Sequence, residues 1–137
     1  MNTVTVSASK TYDILIGSGI LSELGSRIQS LGKAQKVCLV SETSVFPLWG
    51  DAARSSLENA GFAVCSYVFP AGEESKNGEN FLKLLNFLAE NGLTRSDILV
   101  ALGGGVTGDL AGFAAACFLR GIRFVQVPTT LLAAVDS

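Results

Sequence analysis

Residues 101–137 read ALGGGVTGDLAGFAAACFLRGIRFVQVPTTLLAAVDS, and one junction inside that stretch decides how the chain is wired. A β-like run, Asp97 to Leu102, enters three consecutive glycines, Gly103, Gly104 and Gly105. A helix of small residues is expected to follow (Val106, Thr107, Gly108), with Asp109 in its first turn. Such a junction leaves unpaired backbone N–H groups facing outward at a helix N-terminus, where the helix dipole favours an anion. The glycines remove the Cβ atoms that would hold a phosphate away from that backbone. Gly103, Gly105 and Gly108 also satisfy G-x-G-x-x-G after a strand. The stretch reads as a cradle for a nucleotide phosphate.

Outward from that junction the chain alternates between two periodicities. Thr3–Val6 and Asp13–Ile16 alternate apolar and polar residues around Ser9-Lys10, the signature of an antiparallel hairpin. Ile20 to Ser30 is a short helix closed by Gly32, and Lys36 to Ser41 is a β-rich run. Pro47 to Ala60 is helical and stops at Gly61; Phe62 to Phe69 is a strand that Pro70-Ala71-Gly72 breaks. Asn80 to Glu90 places Phe81, Leu84, Leu85 and Leu88 at helical spacing and ends at Gly92. Asp97–Leu102 and Arg123–Val127 flank the glycine-rich helix as strands. Strands separated by helices predict βαβ units: an α/β fold with a mostly parallel sheet and helices on both faces, plus the N-terminal hairpin.

Composition narrows the function classes. A chain of 137 residues, 48% hydrophobic and 16% charged, is long enough for one domain with a sizeable core. A net charge of −2 and no Lys/Arg stripe argue against nucleic acid as a partner. The longest apolar run, Leu110 to Leu119, is too short for a bilayer, and the N-terminus lacks the apolar core of a signal peptide, so a cytoplasmic protein without a membrane partner is expected. The three cysteines, Cys38, Cys65 and Cys117, all lie in apolar segments and are expected to be buried, reduced thiols. No histidine is present, which removes a Ser–His–Asp triad and an ordinary zinc or non-haem iron site. The terminal stripe LLAAVDS, with Thr129-Thr130 as its expected N-cap, has no closing signal, and the chain reads as the first domain of a longer protein.

The glycine pattern lacks one companion. An ordinary dinucleotide fingerprint has an acid about twenty residues on, after the next strand, to bind a ribose. Here that place holds Val127-Pro128-Thr129-Thr130, while acids stand instead at two other strand ends, Glu42 and the run Ala71-Gly72-Glu73-Glu74-Ser75-Lys76. Nucleotide binding with a different wiring follows.

GGGVTGD (Gly103–Asp109), FLRG (Phe118–Gly121), VPTTLLAAVDS (Val127–Ser137) and AGEESK (Ala71–Lys76) together closely resemble the 3-dehydroquinate synthase family. The resemblance covers essentially the whole chain, as the N-terminal, Rossmann-like NAD-binding domain of that family. It implies that an all-helical C-terminal domain, bearing the zinc or cobalt ligands and most substrate-binding lysines, is absent here. It implies that the Gly104-Gly105 turn, with Val106, Thr107 and Gly108, holds the NAD pyrophosphate, that Asp109 faces the nicotinamide ribose, and that Thr129 and Thr130 contact the cofactor. Ala71, Gly72, Glu73, Glu74, Ser75 and Lys76 would form a nucleotide-binding loop, with Glu42 near the adenosine ribose. Arg120 and Asp136 would serve the substrate side, Arg120 across a homodimer interface, where a planar guanidinium suits phosphate.

Each of these residues also has a plainer reading. Asp109 is favoured by a helix dipole wherever it sits in a first turn, and threonines cap helices. Glu73 and Lys76 fit a solvated loop, Glu42 a surface acid at a strand end, and Arg120 the end of the glycine-rich helix. The implied reaction converts the sugar phosphate 3-deoxy-D-arabino-heptulosonate 7-phosphate to 3-dehydroquinate and phosphate, with NAD regenerated in each cycle. Two other readings stay open: half of an oxidoreductase resembling glycerol and iron-dependent alcohol dehydrogenases, and a nucleotide-binding module without catalysis. Arg120-Gly121 followed by PTTLLAAVDS favours the synthase.

Overall fold

Val37 to Ser41 of the third strand and all six residues of the fifth are buried, so these strands carry apolar side chains on both faces rather than alternating. That is the pattern of a parallel sheet covered on both sides. The computed structural model describes residues 2–7, 11–16 and 20–129, with side chains from residue 20 onward. In chain order the elements are β1 (Asn2–Ser7), β2 (Thr11–Ile16), α1 (Ile20–Ser30), β3 (Lys36–Glu42), α2 (Phe46–Asn59), β4 (Ala63–Phe69), α3 (Gly78–Glu90), β5 (Ile98–Gly103), α4 (Gly105–Cys117) and β6 (Arg123–Pro128). Short 3-10 turns fill Glu73–Ser75 and Phe118–Arg120.

The six strands form one sheet in the order β1-β2-β6-β5-β3-β4. β1 and β2 pair antiparallel, Ser7 opposite Thr11, and every other neighbour is parallel. The expected hairpin and parallel sheet are both present, with boundaries within two residues of those read from the sequence, and the hairpin's Ser9-Lys10 turn lies outside the described residues.

Side chains from alternate positions of the same strands feed two cores. Val37, Leu39, Ile98, Val100, Leu102, Val125 and Val127 pack with Ile20, Leu24, Ile28 and Leu57 of α1 and α2. Cys38, Val40, Leu99 and Ala101 pack on the opposite face with Leu84, Leu88, Leu110 and Ala114 of α3 and α4. Three layers result, with the sheet in the middle.

Two polar devices fix neighbouring elements to one another. Gly25 lets α1 approach α2 so closely that its N–H donates to Ser56 Oγ at 2.9 Å, and a Cβ built on it would stand 2.1 Å from the Ser56 carbonyl oxygen. At the opposite end of the sheet from the glycine junction, Asp97 accepts from the backbone N–H groups of Gln35, Lys36 and Thr94 and from the Thr94 hydroxyl. Burial pushes the Asp97 carboxyl up, but these four bonds to its ionised form outweigh that and hold it below the usual range.

One expectation about the thiols is corrected. Cys38 is buried, but Cys65 is half-buried and Cys117 exposed. Cys117 is the last residue of α4, whose buried face (Leu110, Ala111, Ala114, Ala115) ends before it.

Three substitutions test this packing. Gly25→Ala should lower unfolding free energy by about 1–3 kcal/mol in urea titrations, because backbone rather than a flexible tip must yield. Gly78→Ala, with open space around the new methyl, should be neutral or gain up to about 1 kcal/mol. Asp97→Asn should cost about 2 kcal/mol near neutrality. Because the folded pKa of Asp97 is depressed, its contribution is complete above the ordinary value of about 3.9 and is lost as pH falls through the folded value. Unfolding curves of the two proteins should therefore converge in acid.

Candidate nucleotide-binding site

The strand order reverses between β3 and β5. From β3 the chain passes through α2 to β4 on one side, then through α3 back to β5 on the other side of β3, and on to β6. In open α/β sheets the crevice beyond the carboxyl ends of the strands at such a reversal is where ligands lie. The carboxyl end of β3 is Glu42 and that of β5 is Gly103, so the glycine junction sits at this crevice.

The glycines divide the work. A Cβ on Gly103 would meet Thr107 Oγ1 at 2.6 Å, so Gly103 serves packing rather than access to a ligand. Gly104 and Gly105 have open space where a Cβ would stand, and their backbone is approachable from the crevice. On Gly108 a Cβ would lie 2.4 Å from Gln126 Nε2, so this residue seats α4 against β6. Gly105 and Gly108 thus fill the roles of the second and third fingerprint glycines, close approach of a ligand and close helix–strand packing. Inside the first turn of α4, Thr107 is buried and its Oγ1 has no hydrogen-bond partner among the described residues.

Asp109 is the fifth residue of α4, in its second turn, and no acid lies in the first turn. The dipole reading of Asp109 therefore falls, since that field fades within the first turn. Its carboxylate instead meets Lys76 Nζ at 2.9 Å, and Lys76 also lies 3.5 Å from Glu73. The hydrogen bond from Lys76 to Asp109, with the charges of Asp109 and Glu73, raises the Lys76 pKa above its ordinary value. This pair bridges the β4–α3 loop to α4. On one side of it a cavity of about 340 Å³ is lined by Asn77, Phe81, Leu110 and Phe113; on the other a cavity of about 410 Å³ reaches Gly105, Gly112, Phe124 and Gln126.

The loop from Pro70 to Lys76 is largely exposed but tied down by hydrogen bonds at Ala71 and Ser75. Ala71 N–H donates to Thr43 Oγ1 at 2.9 Å, buried Ser75 donates to the Pro70 carbonyl, and Gly72 takes a φ of 123°. Glu73 and Glu74 remain exposed. Glu42 accepts from the Val45 N–H at the start of α2, which commits its carboxylate to a local turn.

Thr129 is buried and directly follows the last residue of β6. Thr130 and Asp136 lie outside the described residues. Arg120 does not end the glycine-rich helix. α4 stops at Cys117, and Leu119 (φ 48°), Arg120 (φ 66°) and Gly121 (φ 118°) follow in left-handed conformations. For Leu119 and Arg120 this costs roughly 1–2 kcal/mol each. Arg120 is exposed and stands beyond the end of α4 opposite Gly104, about 20 Å along a helix of this length.

Sequence reasoning missed Thr43, which anchors the loop, and the close seat of α4 on Gln126 and Phe124. The spacing of Gly108 and Gly112, one helical turn apart, was the available signal for the second.

A parallel α/β sheet with an approachable glycine turn at its order reversal is a Rossmann-like domain. Residues 66–137 match the family described as 3-dehydroquinate synthase N-terminal, and the chain belongs to that family. The 3-dehydroquinate synthase of Lactococcus lactis subsp. cremoris (strain MG1363) is 52% identical over 126 residues, covering 92% of this chain and 35% of the relative. The chain thus spans about a third of the length of that relative. The crystal structure of 2-deoxy-scyllo-inosose synthase complexed with carbaglucose-6-phosphate, NAD+ and Co2+ superposes with a TM-score of 0.75 at 26% identity, over 93% of this chain and 35% of that one. Glycerol dehydrogenase from Schizosaccharomyces pombe shares the fold at 16% identity, with a TM-score of 0.68 over 85% of this chain and 27% of that one.

Thr107 supplies a test of the site. A buried hydroxyl without a partner costs free energy in the ligand-free protein. Thr107→Val should therefore raise unfolding free energy by about 1 kcal/mol in denaturant titrations, and a loss of stability would show that the hydroxyl is satisfied.

Proposed function

We propose that this chain is the NAD-binding part of a 3-dehydroquinate synthase, the enzyme that converts 3-deoxy-D-arabino-heptulosonate 7-phosphate to 3-dehydroquinate and phosphate. The observation that carries the reading is the open backbone of Gly104 and Gly105 at the sheet's order reversal, in a chain of this family. The residues present fit a dinucleotide: two glycines without obstruction, a helix N-terminus of 13 residues behind them, and an unpartnered Thr107 hydroxyl beside the turn.

In this reading the N–H groups of Gly105 and Val106 donate to the pyrophosphate, assisted by the positive end of α4. Asp109 accepts from a ribose hydroxyl, and Lys76 holds its carboxylate in place from the β4–α3 loop. The turn through Ala71, Gly72, Glu73, Glu74 and Ser75 keeps Lys76 at that position, and Thr129 and Thr130 are assigned to cofactor contact on their match to the family's motif. NAD bound there supplies reversible hydride exchange at a carbinol carbon. No group of three or more metal-ligating side chains occurs among the described residues, and the zinc or cobalt of the reaction is assigned to the remainder of a longer protein.

Arg120 and Asp136 are assigned to the sugar phosphate. Arg120 is too far from its own glycine turn to serve the same cofactor site, and a two-fold homodimer that presents it to the partner's site reconciles position with role. The consecutive left-handed residues around it fit this assignment, since backbone strain persists where function requires it.

Calorimetry with NAD tests the cradle. The chain should bind the dinucleotide weakly, and Gly104→Val, which fills the open space, should abolish binding; equal affinity in the variant would overturn the assignment. A separate readout concerns Arg120. In the complete enzyme Arg120→Ala should raise the substrate concentration required for phosphate release at least tenfold, with NAD affinity unchanged. A parallel loss of NAD affinity would place Arg120 on the cofactor instead.

A further inference from the structure

β3 and β4 pair in parallel with Cys38 directly opposite Cys65. Neighbouring strands run about 4.8 Å apart, inside the Cα separation of roughly 4.4–6.8 Å that a disulfide spans. The two side chains point to the same face of the sheet: Cys38 belongs to the core under α3 and α4, and Cys65 packs against that core from the edge strand. Neither is bonded to another cysteine, and the Cys65 thiol donates to the Val37 carbonyl, next to Cys38, at 3.9 Å. Their surroundings differ. Cys38 has no exposed surface, whereas Cys65 is half-buried with Arg54 and Lys36 near enough to act on its charge.

We propose that Cys38 and Cys65 form a redox-active thiol pair, in which Cys65 reacts first with a hydroperoxide and Cys38 resolves the product into a disulfide that staples β3 to β4. The asymmetry of the pair assigns the two roles. A hydrogen bond from Cys38, and the charges of Arg54 and Lys36, lower the Cys65 pKa despite partial burial. The hydrogen bond with Cys65, and burial, push the Cys38 thiol far up. The thiolate is the nucleophile, so Cys65 attacks.

The steps balance. The Cys65 thiolate attacks one peroxide oxygen; the O–O bond breaks, and the departing hydroxide takes up a proton to leave as water. Cys65 is then a sulfenic acid. The Cys38 sulfur attacks the Cys65 sulfur, the S–O bond breaks, and the hydroxyl leaves as water with the Cys38 proton. Two thiols lose two electrons to one hydroperoxide. In-register parallel neighbours do not offer ideal disulfide geometry, so the bond should be easily reduced by a dithiol. Cys117 is exposed on α4, on a different element, and takes no part.

The experiment uses the folded chain carrying Cys117→Ser, treated with stepped hydrogen peroxide, alkylated, and mapped as peptides without reduction. The expected result is one cross-linked pair joining the Cys38 and Cys65 peptides, restored to two thiols by dithiothreitol. In the Cys38→Ser, Cys117→Ser protein, dimedone should trap a sulfenic acid on Cys65 with no cross-link. If Cys65 proceeds to sulfinic acid, or stays reduced, while Cys38 is recovered as a free thiol after denaturation, the proposal is wrong. Should Cys38→Ser fail to fold by circular dichroism, peptide mapping of the Cys117→Ser chain still decides.

Discussion

α4 lies close against β6, with glycines where its surface meets Gln126 and Phe124. A Cβ at Gly108 would stand 2.4 Å from the Gln126 amide nitrogen, and one at Gly112 would be 3.3 Å from the Phe124 ring. Gly103 at the end of β5 adds a close approach of its own, against Thr107 of α4. With the helix seated this closely, its N-terminus stands at the carboxyl end of β5, and the Gly104-Gly105 backbone faces the crevice at the order reversal. The rest of the site is arranged around that fixed helix. Asp109 projects from its second turn to meet Lys76, and the Pro70–Lys76 loop is held by Thr43 at the end of β3.

The sheet itself needs little more than burial. Strands β3 and β5 are apolar on both faces and are covered by two helices on each side, so the core is split into two clusters that share the same strands. The polar groups left inside are few and mostly satisfied: Ser41 donates to the Leu102 carbonyl at 2.7 Å, and Asp97 gathers four donors at the opposite end of the strands. Thr107 stands out against that background because its hydroxyl is buried beside the approachable glycines with no partner among the described residues. A scaffold satisfied elsewhere and deficient at one turn is consistent with a ligand completing that turn.

The elements were legible because periodicity and glycine punctuation agreed. Gly32, Gly61 and Gly92 follow helices with positive φ, as their positions suggested, and the two-faced apolar strands marked a parallel sheet. The strand order was not legible, since nothing local in β4 or α3 states that the chain returns past β3. Gly103 looked like part of the phosphate cradle because sequence cannot distinguish a glycine that admits a ligand from one that admits a neighbouring threonine. Asp109 and Arg120 were misplaced by small errors in helix boundaries: α4 begins one residue earlier than read and stops three residues before Arg120. Those shifts move Asp109 out of the first turn and put Arg120 on a left-handed backbone, and boundaries shifted by a residue or three are where sequence periodicity resolves least.

The central claim is that the exposed backbone of Gly104, Gly105 and Val106 receives the pyrophosphate of NAD. Amide chemical shifts of the isotopically labelled chain, followed while NAD is added, test it most directly. The account predicts saturable movement of the Gly104, Gly105 and Val106 resonances, with smaller changes at Lys76 and Asp109. Movement confined to the opposite end of the strands, around Lys36 and Asp97, with the glycine turn unchanged, would contradict it.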